Sequence, residues 1–195
     1  KHTHLVPEEL EQLERLSLTD KHMKLQKSLD AFLFCCYAGM RYSDFTNLSK
    51  KNIVDINQET WLIYKSVKTG TEVRLPLYLL FAGKGIVILN KYRNNLEDFF
   101  RLRDNSNINK DLIIIAKLAG LSKKISFHTA RHTNATLLIY NGVNITTVQK
   151  LLGHKSVKTT QVYTNIMDMT IVHDLEKIKQ AALGIKKKTD NSFNK

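Results

Sequence analysis

One change of hydrophobic period constrains this chain more than any other feature. Apolar residues recur at helical spacing at Leu10, Leu13 and Leu16, and again at Leu25, Leu29, Phe32, Leu33 and Cys36, which predicts two amphipathic helices. Pro7-Glu8-Glu9 opens the first; Asp20 is expected to cap the second and Gly39 to stop it, so that Arg41 falls just past a helix end. Between Trp61 and Pro76 the period drops to two, in Trp61-Leu62-Ile63-Tyr64, Val67-Lys68-Thr69-Gly70-Thr71 and Val73-Arg74-Leu75-Pro76. β-Branched and aromatic residues around a glycine predict a hairpin that Pro76 ends, and Asn52 to Ile56 can add a third short strand. From Leu77 helical spacing returns, in segments near 77–92, 95–103, 108–119, 129–141, 144–152, 156–164 and 170–182. A small sheet inserted once into a helical chain predicts a mainly α fold with a small antiparallel β-sheet (α+β). It excludes the βαβ series of a dinucleotide-binding domain, whose Gly-rich phosphate loop is also missing.

Charge narrows the class of partner. Thirty Lys+Arg against 18 Asp+Glu give a net charge of +12 over 195 residues, which suits a polyanion. The longest apolar stretch, Ala31 to Met40, is far shorter than the roughly 20 residues that span a bilayer, so no membrane contact is expected. The start, KHTHLVPEEL, has no apolar run after its basic residue, and no secretory signal is expected there. The two cysteines, Cys35 and Cys36, are adjacent in an apolar segment, where burial favours inert thiols. A reducing, cytosolic setting fits this cysteine usage best.

Four local patterns stand out: Tyr37-Ala38-Gly39-Met40-Arg41-Tyr42-Ser43-Asp44; Lys68-Thr69-Gly70; His128-Thr129-Ala130-Arg131-His132-Thr133; and Leu152-Gly153-His154-Lys155, with Tyr163 nine residues after the histidine. Singly, each has an ordinary explanation. An arginine past a helix end satisfies carbonyls, a hairpin lysine is solvated, and a tyrosine on a late helix is core. In order, from about Leu18 to Asn165, they resemble the catalytic domain of the tyrosine recombinases, the phage-integrase class of site-specific DNA strand-exchange enzymes. That family's pattern is an Arg after a helix and a Gly, a Lys in a β-hairpin, a His-x-x-Arg opening a helix, a Leu-Gly-His, and a Tyr shortly after it. Arg41, Lys68, His128, Arg131, His154 and Tyr163 fill its six positions.

The resemblance implies the tyrosine recombinase catalytic-domain fold and a mechanism. Tyr163 would attack the scissile phosphodiester, giving a 3′-phosphotyrosyl link and a free 5′-hydroxyl. A phenol with a pKa near ~10 needs positive charge or a base to do so at neutral pH. Arg41 and Arg131 would meet the charge that grows on the non-bridging oxygens, and His154 would donate a further hydrogen bond. Lys68 would protonate the departing 5′ oxygen, with Lys65 as the fallback, and His128 would assist proton transfer at the tyrosine. Asp44 is read as a partner that orients an arginine, or else as an exposed helix cap. No cofactor, ATP or metal is implied. A zinc site at His128 and His132 lacks the glutamate of the metalloprotease motif and would place Arg131 against the cation; His132 is better read as a packed or hydrogen-bonded neighbour of the site. His2, His4, His22 and His173 are expected at the surface.

The rival reading is a DNA-binding module without catalysis. Leu137 to Leu152, with Gly142 between two helical segments, has the form of a helix-turn-helix. It would not need Tyr163 or the distant pair of arginines. Either way the partner is double-stranded DNA, held mostly through phosphates. Lysines outnumber arginines 23 to 7, and Lys123, Lys124, Lys155 and Lys158 flank the motifs. Residues 1–182 are expected to form the catalytic domain, with the motifs at 41–163, and residues 183–195 a basic flexible tail. An amino-terminal DNA-binding domain is expected to be absent from this chain. The resemblance implies a homotetramer on DNA for a full-length form and a monomer for the fragment. Integration or excision of a mobile element is the expected biology, with chromosome-dimer resolution as the alternative.

Overall fold

Helix α2 (Gln26–Ala38) occupies the centre because it is apolar on every side, and each residue from Ser28 to Ala38 is buried. Such a helix must be covered all round. The other long buried helix, α7 (Phe127–Tyr140), covers one flank; α1 (Pro7–Glu14), α4 (Lys84–Lys91), α5 (Leu96–Phe100) and α6 (Asn105–Leu118) supply the rest. The computed structural model describes residues 2–163, 171–172 and 174–184. Phe45, on the short helix α3 (Tyr42–Thr46), packs edge-on against Phe99 and Phe100 and tilted against Phe34 and Phe127. Each such ring contributes about 1.5–3 kcal/mol by leaving water. The one buried acid of α2, Asp30, is met by Lys91 Nζ at 2.9 Å and by the Tyr92 hydroxyl.

The sheet is a three-stranded antiparallel meander, β1 (Ile53–Ile56), β2 (Glu59–Lys65) and β3 (Glu72–Leu75). Leu62 pairs with both Ile53 and Leu75, and Tyr64 with Val73. Leu62, Tyr64, Val73 and Leu75 are buried while Glu72 and Arg74 face water, the alternation of a sheet packed on one face. After α7, Gly142 at φ +87° turns the chain into α8 (Ile145–Leu152), which Asn144 caps through a side-chain bond from Thr146 N. Gly153 (φ +67°) ends α8, and the short helix α9 (Val157–Thr160) leads into a 3-10 turn, Gln161–Tyr163.

This is the mainly α fold with a small antiparallel sheet that the periodicity predicts, and it differs in detail. Asp20 is not a cap; it begins a 3-10 turn, Asp20–Leu25, and α2 starts only at Gln26. Helical spacing over 77–92 is interrupted where Phe81 and Ala82 take φ of +48° and +55°. Phe81 there turns onto the ring of Tyr37, at 5.6 Å between centroids, so tertiary packing overrides the local pattern. The segment near 95–103 shortens to α5, which Asn95 caps at Asp98 N. Residues 171–172 and 174–184 are helical, and Ile171, Leu175 and Ile178 are exposed. Of the expected tail, residues 185–195 lie outside the described residues, as does His173.

Gly39 carries a constraint the pattern only hinted at. Its φ is +69°, and a Cβ there would lie 2.7 Å from Asn134 Oδ1 and 2.9 Å from Leu152 Cδ2. Gly39→Ala should therefore cost at least about 2 kcal/mol, combining the left-handed penalty with overpacking. A lower urea midpoint at unchanged slope is the expected result.

Candidate active site

The site is assembled where three helix ends and one hairpin loop meet. Gly39 swings the chain out of α2 so that Arg41 stands at the amino end of α3, half-buried. One turn on, Asp44 is fully buried. Its Oδ1 accepts a hydrogen bond from Val67 N at 2.8 Å, and its Oδ2 lies 3.7 Å from Arg41 Nη1. Asp44 thus touches both Arg41 and the loop between β2 and β3, and it is not an exposed cap. Within that loop, Ser66 N donates to Thr71 O and Gly70 N to Ser66 O, both at 2.8 Å. These bonds shape a tight turn with Lys68 exposed at its tip. Ser66 Oγ also stands 3.5 Å from Arg41 Nη1.

Arg131 is 2% exposed and acts as a brace. Nη1 donates to Gly39 O at 2.7 Å and Nη2 to Leu152 O at 2.8 Å, so one guanidinium joins the carboxyl ends of α2 and α8. Those ends carry unpaired carbonyls and partial negative charge, a fitting place for a buried cation. Asn134, nearly one turn further along α7, donates to Cys36 O at 2.9 Å. Past α8, His154 Nδ1 meets Thr160 Oγ1 at 2.9 Å, which fixes the imidazole plane. Thr69 Oγ1 donates to Gly153 O at 3.2 Å and ties the Lys68 loop to the Leu-Gly-His turn. Gly153 admits no side chain, since a Cβ would lie 2.6 Å from Val73 Cγ2.

Tyr163 is buried, and its hydroxyl lies 2.7 Å from His132 Nδ1. The expected helper, His128, instead meets the edge of the His132 ring, at 4.5 Å between centroids. The reason is helical geometry: His128 and His132 are four residues apart on one face of α7, and the turn carrying Tyr163 reaches the later one. His2, exposed as expected, also stacks on His132, at 4.4 Å between centroids.

Electrostatics mark the place as cationic, with Asp44 as the acid beside Arg41. Burial, then Arg131, Arg41 and Lys68, push His154 down to about 4. Burial, then Arg131, Arg41, His2 and Lys68, lower His128. Burial and Arg41 bring Arg131 down to about 10, still charged at neutral pH. Tyr163 is raised by burial, although Arg131 and Arg41 pull the other way. The charge of Lys68 reaches both His128 and His154; Lys65 is the last residue of β2. A cleft of about 830 Å³ opens beside His128, lined among others by Asn109, Lys110, Lys124 and Ser126. Lys124, Lys155 and Lys158 are exposed. Lys123 is engaged elsewhere, 2.9 Å from Glu9 and 3.0 Å from His4 O. Among the described residues, no cluster of three or more His, Cys, Asp or Glu side chains is arranged to hold a metal.

Residues 4–169 match the sequence profile of the phage integrase family. The chain belongs to that family. Among its curated members, a tyrosine recombinase of Pseudothermotoga lettingae is 30% identical over 181 residues, covering 90% of this chain and 60% of the relative. Tyrosine recombinase XerD of Bifidobacterium longum is 50% identical over 171 residues, covering 79% of this chain and 54% of the relative. The crystal structure of XerA recombinase superposes with a TM-score of 0.68 at 27% identity, over 91% of this chain and 66% of that one. The chain thus spans between half and two thirds of the family members it matches here.

Sequence reasoning named the polar groups that converge here but not those that hold them. Ser66, Thr69, Asn134 and Thr160 carry no signal beyond their neighbourhood to the motifs. The site also yields a pH dependence. His132, through burial and the charges of His128, His2, Arg131 and His4, is pushed down to about 4, as is His154. Their ordinary value is 6.5, so between pH 6.5 and 4 the unfolded chain binds more protons than the native one. Stability should be full above pH 6.5 and fall as pH drops towards 4. Thermal melts across that range should show it, and His154→Gln should flatten part of the slope.

Proposed function

We propose that this chain cuts and rejoins double-stranded DNA at a specific site through a tyrosyl-phosphate intermediate. The observation that carries the reading is the electrostatic neighbourhood of residues drawn from segments spread over 41–163: Arg131 and Arg41 act on Tyr163, and Arg131, Arg41 and Lys68 on His154. Tyr163 Oη attacks phosphorus, the new P–Oη bond forms, and the P–O5′ bond breaks. Lys68 gives a proton to the departing 5′ oxygen, and His128 takes the proton that the phenol gives up. As phosphorus becomes five-coordinate, its non-bridging oxygens gain charge. Two of the five guanidinium N–H donors of Arg131 are spent on carbonyls, and the others serve the phosphate with Arg41 and His154. The phosphodiester energy stays in the covalent link, so attack by another strand's 5′-hydroxyl reverses the step.

The exposed lysines 124, 155 and 158 and the net charge of +12 support backbone-dominated DNA binding. The apolar residues of 171–184 left facing water fit assembly with further protomers on DNA, a homotetramer in the full-length protein. Integration or excision of a mobile element in the bacterial cytoplasm is the role we favour. Chromosome-dimer resolution is the second reading, kept because curated relatives carry Xer names.

A nicked duplex bearing the crossover site traps the intermediate. The wild-type protein should leave a denaturant-resistant protein–DNA adduct, with or without a chelator, and Tyr163→Phe none. Arg41→Ala should slow adduct formation about 10²–10³-fold, as when one preorganised oxyanion donor is lost, with DNA affinity little changed. A protein that binds the duplex but never forms the adduct would be a binding module instead.

A further inference from the structure

Tyr163 lies on a 3-10 turn of three residues that follows a helix of four. A nucleophile so placed has little local rigidity of its own. Its hydroxyl nevertheless has a defined partner, His132 Nδ1 at 2.7 Å, and that partner belongs to the 14-residue buried helix α7. The His132 ring is itself fixed, stacked by His2 at 4.4 Å and 23° and met edge-on by His128 at 4.5 Å and 88°. His132 is also the residue directly after Arg131, whose guanidinium joins the ends of α2 and α8.

We propose that His132 is a positioning residue for the nucleophile, its Nδ1 accepting the hydrogen bond of the Tyr163 hydroxyl and registering Oη against the phosphate that Arg131 receives. The proposal rests on the reading of Tyr163 as nucleophile. It requires a neutral ring with Nδ1 unprotonated and the proton on Nε2. The groups facing His132 all act in that direction: burial comes first, followed by His128 and Arg131 on its own helix and His2 and His4 on the amino-terminal segment. Magnitude decides between holding the phenol and deprotonating it. An imidazole held near 4 is a poor final acceptor for the proton of a phenol that burial raises above its ordinary 10. Orientation of the phenol therefore falls to His132. Adjacent residues of one helix then set both reactants, so a rotation or slide of α7 would move phosphate and nucleophile together.

Asparagine places its Oδ1 near the position of a histidine Nδ1, which gives a rescue variant. Single-turnover adduct formation on the nicked duplex should be about 10–100-fold slower in His132→Ala, the scale of loss expected from a misplaced reacting group, and restored to within a few-fold in His132→Asn. DNA affinity and melting temperature should be recorded for all three proteins. Long-range 1H–15N NMR of the unliganded wild-type protein should find His132 in the Nε2–H tautomer at pH 7. A His132→Ala rate equal to wild type, a His132→Asn rate as low as that of His132→Ala, or an Nδ1–H tautomer would each overturn the proposal. Failure of the wild-type protein itself to form an adduct would overturn the reading of Tyr163 instead, and the tautomer measurement would still decide the contact.

Discussion

A single buried guanidinium governs how this molecule is put together. Arg131 lies inside the protein with its charge intact, which is tolerable because two helix ends turn their carbonyls towards it. Hydrogen bonds to a charged group contribute about 1.5–3 kcal/mol each, and an unpaired buried charge costs more than that. The arrangement is therefore stiff: α2 must end at Gly39, α8 must end near Leu152, and α7 must run between them at a fixed height. Asn134 repeats the pattern nearly one turn later by taking Cys36 O. The helices are thus held in register by their polar ends as well as by the core they enclose.

The remaining charges are organised around that brace. Asp44 holds Arg41 and the Lys68 loop from one side, and Thr69 fastens the same loop to Gly153 from the other. Burial first, and then the charges of Arg131, Arg41 and Lys68, lower His128 and His154. A phosphate entering the group would relieve this repulsion and raise both imidazoles.

Much of this was legible in the sequence, for identifiable reasons. The period change from helix to hairpin gave the fold class because burial on one face imposes it regardless of detail. Gly39, Gly142 and Gly153 marked turns because left-handed backbone favours glycine. The break at Phe81 was not legible, since it depends on Tyr37, far away in sequence. Asp20 looked like a cap from its type and place, yet the chain forms a 3-10 turn there. At the site, the six motif residues and Asp44 could be named, but the contact between Tyr163 and His132 could not be foreseen over His128. Two histidines on one helical face are equivalent until the partner element is docked. The pairing of Lys123 with Glu9 was likewise not legible, since its position beside a motif says nothing of a residue so far away in sequence.

The contacts that build the site join residues very far apart along the chain. Arg131 reaches back to Gly39, Thr69 forward to Gly153, and Thr133 Oγ1 accepts a bond from Leu5 N across 128 residues. During synthesis, Arg41 and the Lys68 loop leave the ribosome long before α7 and α8, and Tyr163 comes later still. A chain interrupted before that point would hold Arg41 and the Lys68 loop without Tyr163. The order of residues along the polypeptide thus leaves the site incomplete until residue 163 has been made.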